Sequence, residues 1–150
     1  MVALLHRGLA AGLLLALAAP AAALEYRSTG RVAILYDAPS TTAGRVAIAG
    51  AHLPLEVVVD SGAWVRVRDH GGRLTWIEKA ALDGPRSVMV QTEAAAVRQQ
   101  PRADAGLVFR AVRGVLLEVR PGEAGPPGWL AVRHAGGLSG WIAVNEVWGR

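Results

Sequence analysis

The sequence predicts an all-β protein: two tandem small barrels behind a cleavable export leader. Three observations carry that expectation. The block Trp64–Ile77 recurs 65 residues later as Trp129–Ile142, with both tryptophans, a pair of glycines, an arginine and the isoleucine in register. Apolar residues alternate with polar ones in short runs and show no helical period. Gly71-Gly72 and Gly136-Gly137 fall where consecutive runs must reverse, and glycine supplies the positive φ that tight hairpins need.

The leader comes first. Arg7 precedes an apolar run from Gly8 to Ala19, which ends at Pro20-Ala21-Ala22-Ala23. That run is short for a bilayer span, and small residues at 21 and 23 suit signal peptidase, so residues 1–23 read as a signal peptide cleaved after Ala23. The expected product is exported, to the periplasm or beyond the cell, with no stable membrane anchor. The chain has no cysteine, which excludes both a lipid anchor through a thioether and any disulfide, so the fold must rest on its apolar cores.

Beyond the leader, 15 basic side chains face 12 acidic ones, and only Lys79 among the 15 is not arginine. The arginines are scattered singly between apolar residues rather than gathered in a stripe. With export, this argues against nucleic acid as a partner.

The repeat then sets the domains. Leu55-Glu56-Val57 matches Leu117-Glu118-Val119, Gly44 matches Gly106 and Pro39 matches Pro101, all at an offset of 62. The change from 62 to 65 locates a three-residue insertion in Pro121–Gly128, against Asp60–Ala63 in the first copy. The copies are expected at 24–82 and 87–150, joined by a linker at 83–86, Asp-Gly-Pro-Arg. So short a linker implies barrels that touch.

Within each copy the strands are half-buried. Leu55, Val57 and Val59 are expected on one side of a strand, as are Val115, Leu117 and Val119. Val65 and Val67 oppose Trp64, Arg66 and Arg68, while Leu130 and Val132 oppose Trp129, Ala131 and Arg133.

This order of features resembles the bacterial SH3-like domain family. The resemblance rests on Pro39 or Pro101 in a long first loop, the glycine pair, then Trp76-Ile77 or Gly140-Trp141-Ile142 ending a strand. Ala94–Pro101 parallels the family's opening Leu-Asn-Val-Arg-x-x-Pro, from which Ile34–Pro39 departs. With its final Val147-Trp148-Gly149, the layout is similar to exported SH3-domain-containing proteins of proteobacteria.

Catalysis is not expected. His52, His70 and His134 lack the spacing of a zinc site and read as solvated turn residues, so no metal or other cofactor is expected. Ser28, Ser40, Ser61, Ser87 and Ser139 all lie outside any G-x-S-x-G context, and no thiol is present for a cysteine peptidase. Paired carboxylates would need a cleft to desolvate the acid, which barrels this small do not offer.

By the resemblance, Tyr36, Trp64 and Trp76 lie along the SH3 peptide groove, with Trp129 and Trp141 in the second copy. Two readings stay open for Arg66, Arg68 and Arg133: partners for the carboxylates of a peptide stem, or the solvated face of their strands. Two placements stay open for the tryptophans: an exposed platform, or packing over barrel ends and the neighbouring copy. The groove-closing tyrosine of eukaryotic SH3 domains is absent after both Ile77 and Ile142, which counts against polyproline. The expected function is a non-catalytic cell-envelope binding module for peptidoglycan or an envelope protein or peptide. A scaffold docking through barrel edges is the alternative.

Overall fold

The computed structural model describes residues 23–150, so the signal-peptide reading falls, but for Ala23, outside the described residues. The first sheet contains β1 (Glu25–Ser28), β2 (Ala33–Tyr36), β3 (Arg45–Ala49), β4 (Pro54–Ser61), β5 (Trp64–Arg68) and β6 (Leu74–Glu78), in the antiparallel order β1-β4-β5-β6-β2-β3. The second contains β7 (Ser87–Val90), β8 (Ala94–Arg98), β9 (Leu107–Val112), β10 (Leu116–Val119), β11 (Trp129–Arg133), β12 (Ser139–Ala143) and β13 (Val147–Trp148), in the order β13-β7-β10-β11-β12-β8-β9. One-turn 3-10 helices at Lys79–Ala81 and Val144–Glu146 follow β6 and β12. The architecture is all-β, as the alternation predicts.

Each sheet rolls around its own core. Leu35, Ala49, Leu55, Val65, Val67 and Ile77, drawn from five strands, meet in one buried cluster. Val97, Ala111, Leu117, Val132 and Ile142 are the counterparts of all but Val65 in the other, where half-buried Leu130 packs against the cluster at the matching position. The pairs Leu35/Val97, Ala49/Ala111 and Leu55/Leu117 keep the offset of 62, while Val67/Val132 and Ile77/Ile142 keep 65. Burial of these side chains supplies most of the driving force in a chain with no cross-links.

The hairpins form where the glycine pairs require. Gly72 has a φ of 85° and Gly137 of 93°, and in each turn the glycine N–H donates back to the carbonyl of Asp69 or His134.

One strand departs from simple alternation. A bulge between Val57 and Val59 shifts the register of β4 on β5, so Val57 opposes buried Val67 but Val59 opposes exposed Arg66. Val59 is therefore on the outer side, 44% exposed, and does not share the inward face with Leu55 and Val57 as expected. The inserted residues also do more than lengthen a turn. β4 has eight residues but β10 only four, so Arg120–Gly128 replaces the distal half of the strand with a loop.

The copies meet along a short seam. Gly84 packs its backbone on Thr29, where a Cβ would overlap the Thr29 carbonyl, and its N–H donates to the Ser28 carbonyl at 3.0 Å. Gly149 lies against Pro54, and the Tyr26 ring meets Trp148 edge-on at 5.2 Å. The described residues contain no helix long and apolar enough to cross a membrane.

Candidate binding surfaces of the two copies

The strands bring four of the expected groove residues together in the first copy. Trp76 on β6 sits between Tyr36 on β2 and Arg66 on β5, each its direct cross-strand partner. Trp64, two residues from Arg66 on the same face, closes edge-on over Tyr36 with ring centroids 5.4 Å apart and planes at 85°. A bulge between Leu35 and Tyr36 allows this: Leu35 enters the core and Tyr36 is turned to pair with both Arg45 and Trp76. Tyr36 is only 6% exposed, so it is the floor of the row. Trp64 and Trp76 are half-buried, Arg66 is exposed, and among the described residues Arg66 pairs with no carboxylate. At the Tyr36 end lies a cavity of 250 Å³ walled by Val32, Ile34, Ile48 and Glu78.

The second copy does not repeat this surface. Trp141 keeps the position of Trp76, but its partners are Arg98 in place of Tyr36 and Ala131 in place of Arg66. Arg98 is held inward, its Nη1 donating to the Ala105 carbonyl at 2.8 Å. The inserted loop folds back so that Gly125 lies flush on the Trp141 ring. Trp129 is thereby left on the wall of a separate 670 Å³ cleft with Arg120, Pro121 and Gly125.

Arg133 is drawn away from both tryptophans. Its Nη2 donates to Glu118 Oε1 at 2.9 Å, an ion pair that repeats Arg68–Glu56 of the first copy, also at 2.9 Å. It lines a 610 Å³ cleft between the copies, together with His52, Ser87, Glu118 and His134. None of the five tryptophans belongs to either core cluster. Trp148 instead packs at the seam against Tyr26 and, at 6.3 Å, His70.

Sequence reasoning did not single out this cleft, because its walls come from residues far apart in the chain. The substitution of Arg98 for Tyr36, in contrast, follows directly from the offset of 62.

Among the described residues no three His, Asp or Glu side chains converge as a metal site. One carboxyl and one phenol are perturbed. The Lys79 hydrogen bond, aided by Arg27, holds Asp60 below the ordinary carboxylate range, and burial, aided by the Glu56 charge, raises Tyr26 above the ordinary phenol.

No curated protein matches the chain. A solved structure of NlpC2 from Trichomonas vaginalis aligns at 12% identity with a TM-score of 0.36, covering 83% of this chain and 47% of that one. NlpC1 from the same organism aligns at 14% identity with a TM-score of 0.37, covering 94% and 51%. The chain thus spans about half the length of either. The model of the bacterial SH3 domain matches twice, over residues 30–84 and 91–149, one match to each sheet, and the chain is a tandem member of the bacterial SH3 domain family.

Proposed function

We propose that the protein is a non-catalytic binding module of the cell envelope, exported by its N-terminal segment, which engages peptidoglycan or an envelope peptide through the outer face of the first copy. The observation that carries this reading is the row Tyr36–Trp76–Arg66, roofed by Trp64: three half-buried or buried rings beside an exposed, unpaired cation. Aromatic rings give contact area at low entropic cost, and a free guanidinium can grip a carboxylate of a peptide stem. Bacterial SH3 domains are typically binding modules, which supports this reading.

The test is tryptophan fluorescence of the purified chain titrated with soluble peptidoglycan fragments, with Trp64→Ala and Trp129→Ala checked for folding by circular dichroism. A saturable change lost in folded Trp64→Ala but retained in Trp129→Ala is the expected result. No change in the parent chain would sink the wall-binding reading.

A second reading is favoured by one observation. β3 ends the first sheet, and it exposes Val46 and, at 74%, Ile48, so an assembly scaffold docking through this edge is the alternative. Sedimentation that depends on concentration in the parent chain but not in Ile48→Lys would select it.

A further inference from the structure

Two histidines hold positions where another residue would serve the backbone better, and both line the cleft between the copies. His52 has a φ of 63°, the left-handed region that glycine enters freely and that histidine, like asparagine and aspartate, enters more readily than most residues but at some cost. His134 opens the β11–β12 hairpin where Asp69 opens the matching one. The Asp69 carboxylate accepts from Gly71 N at 3.0 Å and from Arg73 N at 2.9 Å, whereas the His134 ring accepts only from Gly136 N at 3.0 Å. Aspartate therefore satisfies two turn donors and histidine one. Residues that break local rules point to a further requirement, although His134 also gains a tilted contact with the Phe109 ring, centroids 5.9 Å apart.

The cleft shows what that requirement is. Its 610 Å³ is walled by Ala51 and His52 from the first copy and by Leu116, Glu118, Arg133 and His134 from the second. Because His134 Nδ1 accepts a hydrogen bond, its proton sits on Nε2, which is a donor. Arg133 spends Nη2 on Glu118 Oε1, neutralising that carboxylate, and the rest of its half-exposed fork is open. His52 adds an exposed ring from the facing copy. The cations and ring N–H groups thus face one carboxylate, Glu118, whose Oε1 is paired with Arg133, while the Ser87 hydroxyl is spent on the His52 carbonyl and half-buried Leu116 supplies an apolar contact.

We propose that this cleft is a second binding site, separate from the aromatic row, for a carboxylate borne on a small apolar group, such as the free C-terminus of a short peptide. Arg133 and His134 Nε2–H hold the carboxylate, His52 closes on it from the other copy, and Leu116 takes the adjoining side chain. The first copy has no equivalent site, since Asp69 sets a carboxylate where His134 stands.

The experiment follows the histidine ring resonances of the full chain by NMR during titration with N-acetyl-alanyl-alanine and, in parallel, its C-terminal amide. His134→Asp installs the better turn residue and His52→Gly relieves the backbone, so neither variant is expected to melt below the parent. The acid should shift both rings saturably, the amide should bind at least about tenfold more weakly, and each variant should lose about tenfold or more in affinity. Trp64→Ala should bind as the parent does. Equal binding of acid and amide, no saturable shift, or undiminished binding by His134→Asp would overturn the proposal.

Discussion

Ser28 and Ser87 share a buried hydrogen bond across the seam, their Oγ atoms 2.7 Å apart. The surrounding bonds fix its direction. Ser87 Oγ donates to the His52 carbonyl at 2.5 Å, so Ser28 must donate to Ser87, and Ser28 Oγ in turn accepts from Ser87 N at 3.1 Å. The first strand of each copy is thus tied to the other and to the His52 turn. Ser87→Ala leaves the Ser28 hydroxyl proton without an acceptor and the His52 carbonyl without its donor, while the residue-87 N–H still reaches Ser28 Oγ, at a cost of about 1–3 kcal/mol. In urea the parent chain is expected to unfold in one transition and Ser87→Ala in two, resolved by tryptophan emission.

The repeated ion pair has different weight in the two copies. Glu56 is 10% exposed at its side chain and takes both bonds from Arg68 Nη1, at 2.9 and 3.1 Å, whereas Glu118 is 32% exposed. Arg68→Met strands a carboxylate with little access to water and should destabilise by about 1–3 kcal/mol. Arg133→Met should cost less than about 1 kcal/mol, because water solvates what is left. Chemical denaturation of the two variants side by side checks the order.

Gly125 meets Trp141 with no room for a methyl group. Gly125→Ala is expected to lift the 120–128 loop from the ring, with overpacking costing about 1–3 kcal/mol. The loop is exposed and can yield, so the loss should lie at the low end. A red shift in tryptophan emission, absent from Gly125→Ala made in a Trp141→Phe background, reports the displacement.

Stability should fall on the alkaline side through Tyr26. Burial raises its phenol above the ordinary 10.0, so the unfolded chain loses this proton first as pH rises. The contribution is whole below pH 10.0 and disappears as pH climbs through the raised value. Asp60 acts in the opposite sense: its carboxylate is held low by Lys79, so its stabilisation is whole above the ordinary carboxylate value and is lost as pH falls through the lowered one. Melting temperature against pH should show a shallower alkaline decline in Tyr26→Phe and a shallower acid decline in Asp60→Asn.

Much of the fold could be read from the chain because its signals are local. Alternation of Val65 and Val67 with Trp64 and Arg66 required only the pleat, and both valines are fully buried. The same rule failed at Val59, where one extra residue in β4 reverses which side faces in. Nothing in Val57-Val58-Val59 distinguishes a bulged strand from a regular one, since all three residues are identical and apolar.

The candidate surface was legible by halves. Offsets of 62 and 65 aligned the copies, while strand parity put Trp64 with Arg66 and the family resemblance put Tyr36, Trp64 and Trp76 along one groove. They gave no warning that the second copy's equivalents would be dispersed, with Trp141 under Gly125, Trp129 beside the loop and Arg133 in the inter-copy cleft.

The sequence alone thus determined the duplication, the all-β class, several inward residues of each core and the hairpin glycines. Each is a repeat or a short-range pattern fixed by backbone stereochemistry. Only the tertiary structure decided which aromatic surface stays open, how the inserted loop covers Trp141, and that His52 and His134 share one cleft. Those outcomes depend on which surfaces meet, through contacts between residues dozens of positions apart whose partners no local pattern encodes.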